Sequence, residues 1–262
     1  MLPRAQNVMV FRKCSIGGKA YHGDSPAETT PNPEAEAVTT EKPPVGALEE
    51  NRSSNSTTTA VQDQPGGNRS NPSILQAEKP RLSAETRFYD QNLLNDIESA
   101  VNAEPGQETQ ARSLNGFFTV LSLCHTVLTT VDSETGALLY KAQSPDEEAL
   151  VQGAASVGYV FRGRDRDVLH LQTPFSDDLE HYQLVNILEF TSTRKRMSVI
   201  VKKLDDGDDR LFLLTKGADN VIFERLKSGG EELKKSTEED LDSFANEGLR
   251  TLTLAYKVIP RA

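Results

Sequence analysis

The sequence predicts an α+β domain in which a mainly antiparallel β-sheet is flanked by helices. Two observations carry this prediction. Short apolar segments alternate with turn-forming residues over the second half of the chain. Hairpin signals also outnumber strand-helix-strand crossovers, and the strongest is Asp205-Asp206-Gly207-Asp208-Asp209 between two apolar segments. Because hairpins join antiparallel neighbours, the sheet should be mainly antiparallel with helices packed on it.

Composition narrows the classes of protein to which the chain can belong. The 262 residues carry a formal net charge of -10, a hydrophobic share of 36% and a mean hydropathy of -0.50. The negative charge opposes binding to nucleic acid, and no apolar run is long enough to span a bilayer. Cys14 and Cys124 lie far apart and match no metal-binding spacing, so we expect reduced thiols.

The chain divides into three predicted parts. Residues 1–22 contain an apolar cluster at 8–11 followed by Gly17-Gly18, which predicts a short strand and a turn. Residues 23–84 are rich in Pro, Thr, Ser, Asn and Glu and predict a long disordered insertion, because such a segment buries too little apolar surface to offset its ordering entropy. Residues 85–262 hold the predicted folded domain.

Within that domain, apolar spacing predicts the elements in chain order. Leu93, Leu94 and Ile97 have helical spacing, and Pro105-Gly106 ends that helix. His125 is interpreted as a core or helix-end residue rather than a ligand. Further helices are predicted over residues 114–128, 144–157, 219–226 and 237–246, and strands over 137–140, 159–162, 168–173, 184–190, 197–204, 211–215 and 251–258, with 184–190 as a central strand.

The first candidate segment is Ser144-Pro145-Asp146-Glu147-Glu148-Ala149-Leu150. Ser144 is a good N-cap, Pro145 suits the first helical position, and Glu147 stands where a capping-box partner belongs. A well-capped helix therefore explains the whole segment. Alternatively, one carboxylate at the helix start points into a cleft and accepts a hydrogen bond from a ligand amine. Spacing does not separate the two interpretations.

The second candidate segment runs from Phe190 to Ser198 and reads Phe-Thr-Ser-Thr-Arg-Lys-Arg-Met-Ser. It joins an aromatic residue at a strand end to hydroxyl groups and to three consecutive cations. A solvated basic turn with a core phenylalanine is one interpretation. In the other, Phe190 stacks on a flat base while the hydroxyls and cations hold phosphate or ribose oxygens.

Two shorter segments complete the set. Lys216-Gly217-Ala218-Asp219 follows an apolar strand and opens a helix, so it is either an ordinary turn or an anion site that a ligand approaches over Gly217. Glu247-Gly248-Leu249-Arg250-Thr251 is explained by Gly248 ending a helix in the left-handed conformation, whereas Arg250 offers a contact to phosphate. The sequence contains no Walker-type or GxGxxG phosphate loop.

Taken together and in this order, the four segments resemble the cytosolic nucleotide-binding domain of P-type ATPases, specifically that of the phospholipid-flippase subfamily. The runs SPDEEALVQGA, FTSTRKRMSVI, KGAD and EGLRTL carry the resemblance over about residues 117–258. The stretch from Phe117-Phe118 to Cys124-His125-Thr126-Val127 is also similar to that subfamily. Cation pumps share a KGA element but are less similar around SPDEEAL.

The resemblance implies a role for each candidate residue. Phe190 would stack on adenine and Glu147 would contact its amino edge. Lys216 would line the pocket for base and ribose, and Arg250 would reach the phosphates with Ser192, Lys195 and Thr251 as helpers. The ligand would be ATP, and Mg²⁺ would arrive with the nucleotide. No catalytic residue and no protein ligand to a metal is expected.

The resemblance also covers residues 6–18, which look like the segment after the family's phosphorylation motif, DKTGTLT. Met1-Leu2-Pro3-Arg4-Ala5 stands in place of that motif, so we expect the chain alone not to hydrolyse ATP. The implied partners are the phosphorylation and transmembrane domains of a parent pump at the cytosolic face of a membrane, and phospholipid only through that pump.

Two alternatives stay open from the sequence. One is a non-catalytic interaction module with a vestigial ATP site, in which the insertion recruits partners. The other is a fragment of a cation-transporting P-type ATPase, which would share the ATP site.

Overall fold

A computed structural model describes residues 8–23, 75, 77–83, 86–205, 207 and 209–259. Most of the insertion predicted at 23–84 lies outside these residues, as do residues 1–5, and the division of the chain into three parts stays a prediction. The elements are β1 (Lys13–Ile16), β2 (Lys19–His22), α1 (Gln91–Val101), α2 (Glu108–Leu123), β3 (Leu128–Val131), β4 (Leu138–Lys141), α3 (Pro145–Ser156), β5 (Val160–Asp165), β6 (Val168–Gln172), β7 (Glu180–Leu188), β8 (Arg196–Lys203), β9 (Leu211–Gly217), α4 (Asp219–Phe223), α5 (Glu231–Asn246) and β10 (Thr253–Ile259).

The central feature is a six-stranded sheet in the order β10-β9-β8-β7-β6-β5, in which every neighbouring pair is antiparallel. The predicted α+β class is therefore confirmed. The predicted strand at 184–190 belongs to β7, which lies in the middle of the sheet beside β8. The acidic segment at 205–209 connects β8 to β9, as the hairpin signal indicated.

The main core lies between this sheet and the helices α2 and α3. Alternate residues of β8 face it, because successive side chains of a strand point to opposite faces: Met197, Val199 and Val201 are all buried. Leu123 and Cys124 from the end of α2 and Val151 from α3 pack against them. Burying each large aliphatic side chain stabilises the fold by about 1.5–3 kcal/mol.

A second core cluster holds the β1–β2 hairpin against α1 and α2. Cys14, Ile16 and Tyr21 of the hairpin are buried with Phe88 and Leu93. Cys14 and Cys124 are both free and buried, which agrees with the expectation of reduced thiols. Burial raises the pKa of the Cys124 thiol to about 11, so this group stays protonated.

The first hairpin is displaced from its predicted place. The cluster at 8–11 was expected to form the strand, but β1 begins at Lys13 and Val8 is 54% exposed. Gly17 and Gly18 have φ angles of 64° and 82°, and they form a two-residue turn that pairs Ile16 with Lys19. Two-residue turns of this kind need positive φ at both central residues, which glycine adopts easily, and the paired strands begin directly on either side of them. The glycine pair therefore fixes β1 at 13–16 rather than at 8–11.

Several helix boundaries also differ from the prediction: α2 begins at Glu108 rather than at 114, and α4 ends at Phe223 rather than at 226. The helix predicted to reach residue 128 ends at Leu123, because the His125 ring lies 2.8 Å from the Ser122 carbonyl at the end of α2. The helix predicted from 237 begins instead at Glu231, directly after a glycine pair. There the Glu231 carboxylate accepts a hydrogen bond from the Gly229 N–H at 3.0 Å, which holds the start of the helix.

Candidate nucleotide site

Strand register brings two of the candidate segments to one end of the sheet. Leu188, Ser198 and Thr215 form one row across β7, β8 and β9, and the Thr215 and Ser198 hydroxyls lie 2.9 Å apart. Arg196 and Gly217 are paired in the last row of β8 and β9. The turn that follows Leu188 therefore lies at the same sheet end as the Lys216 segment.

A mostly buried ion pair links this sheet end to helix α3. Lys216 Nζ donates to Glu147 Oε1 at 2.9 Å, and the two side chains are only 10% and 15% exposed. Lys216 lies opposite Met197 and Leu254, beside the main core. The two segments that sequence analysis treated separately therefore meet through a charge-assisted hydrogen bond.

The Glu147 carboxylate also accepts two hydrogen bonds from Thr126. The Thr126 backbone N–H lies 3.2 Å from Oε2, and the Thr126 hydroxyl donates to the same oxygen at 2.7 Å. Burial alone would raise the pKa of Glu147, but the Lys216 charge and these hydrogen bonds outweigh it and lower the pKa below its usual value. Glu147 is thus a carboxylate and only an acceptor.

This arrangement corrects the capping interpretation of the helix start. Ser144 is the N-cap of α3 with an extended backbone, and Pro145 occupies the first turn as predicted. The Ser144 side chain makes no cap hydrogen bond among the described residues, and the Glu147 carboxylate bonds Thr126 and Lys216. Of the two interpretations, the capping box is wrong, because both oxygens of the Glu147 carboxylate accept hydrogen bonds from Thr126 or Lys216 instead. Glu148 accepts a hydrogen bond from Gln152.

The turn between β7 and β8 presents Phe190 to solvent. Its side chain is 62% exposed, so the interpretation as a core phenylalanine is wrong. The Thr191 carbonyl accepts from the Lys195 N–H at 2.8 Å, and the Arg194 guanidinium donates to the Leu188 and Glu189 carbonyls. Arg194 therefore holds the turn closed. The Ser192 and Lys195 side chains remain exposed beside Phe190.

Gly217 serves a different purpose from the one expected. A Cβ added there would lie 2.5 Å from the Arg196 Cβ and 2.6 Å from the Lys195 carbonyl oxygen. Lys195 has a left-handed φ of 52°, and its carbonyl accepts a hydrogen bond from the Ala218 N–H at 3.0 Å. The glycine is thus required because the protein's own turn packs on it. The space that a ligand was expected to use over Gly217 is filled.

Arg250 lies at a second contact with α3. Its guanidinium is 3.0 Å from Asp146, and these side chains are 74% and 36% exposed. Gly248 has a φ of 81° and follows the last turn of α5, as predicted. Thr251 is exposed, and no hydrogen bond of its side chain is found within the described part of the chain. Two of the predicted cations therefore pair with adjacent carboxylates of one helix turn.

Comparison with known proteins decides the family. A model of the P-type ATPase cytoplasmic domain N matches residues 113–262, which is more than half of the chain. The chain belongs to the P-type ATPase family. The resemblance inferred from the four motifs is thereby confirmed.

Relatives of this P-type ATPase domain carry a consistent name. Phospholipid-transporting ATPase 10 of Arabidopsis thaliana is 36% identical over 97% of this chain and 18% of its own length. Probable phospholipid-transporting ATPase IM of Homo sapiens is 33% identical over 96% of this chain and 17% of its own length. Phospholipid-transporting ATPase dnf2 of Schizosaccharomyces pombe is 36% identical over 96% of this chain and 16% of its own length. The chain spans less than a fifth of the length of these curated relatives.

Sequence reasoning missed two residues that contact the candidate residues Glu147 and Arg250. In the sequence, Thr126 stands out only as part of a stretch similar to the family, and Asp146 only as part of a helix start. The signal for Asp146 was the run of three acidic residues at 146–148, which is more than the capping of one helix requires. For Thr126 no local signal existed, because its partner is 21 positions away.

No helix in the described ranges has the length and apolar character needed to cross a bilayer. No group of three or more His, Cys, Asp or Glu side chains within those ranges has an arrangement that fits a metal ion.

Proposed function

We propose that this domain binds Mg-ATP and, as part of a phospholipid-translocating P-type ATPase, presents the γ-phosphate to an aspartate of a neighbouring phosphorylation domain. The observation that carries the proposal is the Glu147–Lys216 pair, at the sheet end where Phe190 is exposed. A base-stacking aromatic, an amine-accepting carboxylate and an ammonium group form a suitable set for a nucleotide.

Each residue has a defined task in this proposal. Phe190 stacks on adenine, and Glu147 accepts a hydrogen bond from its 6-amino group. Lys216 lines the pocket of base and ribose, and Arg250 reaches the phosphates. Ser192, Lys195 and Thr251, which are all exposed near these residues in sequence, assist in holding ribose and phosphate oxygens. Mg²⁺ is carried by the nucleotide and neutralises part of its charge.

Charge supports a site at this position. The chain as a whole carries -10, so an anionic ligand needs a local cluster of cations. Arg194 and Lys195 lie in the turn at this sheet end, and Arg196 begins β8 directly after it. Desolvation, and then the charges of Arg225 and Arg194, lower the pKa of Arg196, so Arg225 also belongs to this group of cations. Positioning and charge stabilisation are what phosphoryl transfer requires of a binding domain.

The names of the relatives support the transported class. The three relatives described above are phospholipid-transporting ATPases, and each is more than five times the length of the segment that matches this chain. We propose accordingly that the phosphoryl acceptor and the lipid pathway belong to other parts of the same pump, at the membrane whose cytosolic face this domain occupies.

The test is a titration of the protein with Mg-ATP, followed by amide chemical shifts. Wild type should show saturable binding with shifts at Phe190, Glu147 and Lys216. Phe190→Ala should weaken binding roughly fivefold to 150-fold, because stacking of a base on an aromatic ring contributes about 1–3 kcal/mol.

Phe175→Ala is the matched control, because Phe175 is a partly exposed phenylalanine in the loop after β6 that contacts Tyr159. It should bind ATP like wild type. Absence of saturable binding by wild type up to millimolar ATP would refute the proposal and favour the non-catalytic interaction module.

A further inference from the structure

We propose that Thr126 is a positioning residue that fixes the Glu147 carboxylate for the adenine amino group and so sets a preference of this domain for ATP over GTP. The inference rests on the proposed function. Thr126 donates two hydrogen bonds to Glu147, one from its hydroxyl and one from its backbone N–H, although the two residues lie in different segments of the chain.

The Glu147 carboxylate keeps one acceptor position that no described protein group fills. A carboxylate offers about four acceptor positions, two on each oxygen. The Thr126 N–H and hydroxyl fill two positions on Oε2, at 3.2 Å and 2.7 Å, and Lys216 fills one on Oε1 at 2.9 Å. One acceptor position on Oε1 therefore remains for a ligand donor.

The orientation of the carboxylate is also restricted. Lys216 on one oxygen would still allow the group to rotate about its terminal bond, because terminal carboxylate torsions are broad. Two donors from Thr126 on the other oxygen remove that freedom. The free acceptor position on Oε1 thereby has a fixed direction.

Thr126 itself is held by its neighbours. Cys124 and His125 are buried, and His125 links the end of α2 to the start of β3. The Val127 N–H donates to His125 Nδ1 at 3.1 Å, so the ring proton is assigned to Nε2, which donates to the Ser122 carbonyl at 2.8 Å. The two bonds of the His125 ring therefore hold the backbone on both sides of Thr126 in place, while Thr126 itself is exposed.

The chemistry of the two purines completes the argument. Adenine presents an amino donor where guanine presents a carbonyl acceptor. An acceptor-only carboxylate in a fixed direction bonds the first and repels the second, so selectivity depends on the orientation of Glu147. A rotating carboxylate would still be charged, but it would lose the bond to adenine for part of the time.

The experiment measures dissociation constants for ATP and for GTP with wild type and three variants. Thr126→Val and Thr126→Ala remove the hydroxyl donor and keep the backbone N–H, whereas Thr126→Ser keeps the donor. The two hydroxyl-free variants should lower the ATP-to-GTP preference roughly fivefold to tenfold, because a hydrogen bond to a charged acceptor is lost. Thr126→Ser should keep the wild-type preference.

A second readout separates positioning from a merely structural role. The side-chain carboxyl carbon of Glu147, followed by ¹³C NMR against pH, should titrate at a higher pH in both hydroxyl-free variants than in wild type and Thr126→Ser. A structural defect would instead weaken ATP and GTP equally and leave that titration unchanged.

The outcomes distinguish the two proposals. If wild type prefers ATP and all three variants keep the same preference, or lose ATP and GTP binding in equal proportion, Thr126 has no positioning role and the proposed function stands. If wild type binds neither nucleotide, the proposed function fails and the inference fails with it.

Discussion

The two halves of the candidate site differ in how many hydrogen bonds and ion pairs their side chains already make within the protein. On one side, Glu147 and Lys216 are mostly buried, and Thr126 fills two further acceptor positions of the carboxylate. On the other side, Phe190 is 62% exposed, and Ser192 and Lys195 point from the same turn into solvent. The first half is fixed by charge and hydrogen bonds at its functional side chains. In the second, Arg194 and backbone hydrogen bonds hold the turn, while the Phe190, Ser192 and Lys195 side chains stay exposed.

This difference indicates how a nucleotide would bind. At the fixed half, a ligand must use the acceptor position that remains on Glu147 or replace an existing partner, so orientation decides affinity. At the open half, the exposed Phe190 ring is free to be covered, and apolar area leaves water as the base stacks on it. Changes at the fixed half should therefore affect stability and binding together, and changes at the open half should affect binding alone.

The largest expected effect comes from removing the buried cation. Lys216→Met leaves the Glu147 carboxylate without its counter-charge, and breaking one partner of a buried pair costs about 3–5 kcal/mol. Urea unfolding should show a loss near the lower end of that range. The double variant Lys216→Met/Glu147→Gln should recover at least half of it.

Phe190→Ala is the matched change at the open half, and it should alter the free energy of unfolding by less than about 0.5 kcal/mol. Similar losses for Lys216→Met and Phe190→Ala would contradict the division into a fixed and an open half.

The second largest expected effect is a loss of stability in acid, which arises from His125 directly before Thr126 in the fixed half. Burial, and then the Lys216 charge, lower the pKa of His125 from 6.5 to about 4. Between these values the unfolded chain binds a proton that the folded chain excludes, so the free energy of unfolding falls as pH decreases from about 6.5 to 4. At pH 5 the loss should be about 2 kcal/mol relative to pH 7.5.

His125→Asn supplies the comparison for that measurement, because an amide replaces the ring with a donor and an acceptor that do not titrate. Both proteins should be unfolded in urea at pH 7.5 and at pH 5. The pKa of His170 is also lowered by burial and by His181, but both proteins contain His170, so its contribution cancels in the difference between them. Equal pH dependence of the two proteins would show that His125 is not held neutral by this loop.

The smallest expected effect on stability is at Arg250. Its pair with Asp146 is largely exposed, and such pairs contribute about 0–1 kcal/mol. Arg250→Ala should therefore unfold like wild type within about 0.5 kcal/mol, but it should weaken ATP roughly threefold to tenfold and AMP less, because the guanidinium faces the outer phosphates.

Arg164→Ala removes another exposed ion pair, with Asp167, and serves as the control. Equal losses for ATP and AMP in Arg250→Ala would place the guanidinium away from the outer phosphates.

The fold could be predicted from local patterns to a considerable extent. Alternating apolar residues along Met197 to Val201 and the acidic turn after β8 define an antiparallel hairpin without long-range information. The end of α2 could not be placed, because the apolar residues continue to Leu128. The bond from His125 to the Ser122 carbonyl ends the helix, and it depends on burial of the ring.

The site was predictable only in part for the same reason. Strand-end residues such as Lys216 stand out because a charged residue interrupts an apolar strand. The partner of a carboxylate is decided in three dimensions, so spacing left the capping and ligand-binding interpretations of Glu147 open, whereas in the fold its carboxylate bonds Lys216 and Thr126. The requirement for glycine at 217 likewise arises from a turn that is distant in sequence.

The most direct test of the nucleotide site is a measurement of intermolecular NOEs between adenine and the protein in the presence of Mg-ATP. The adenine H2 and H8 protons should show NOEs to the Phe190 ring, assigned by their loss in Phe190→Leu, and should lie near the Lys216 side chain. NOEs from adenine to a different part of the fold, with none to Phe190, would contradict the site described by Glu147, Lys216 and Phe190.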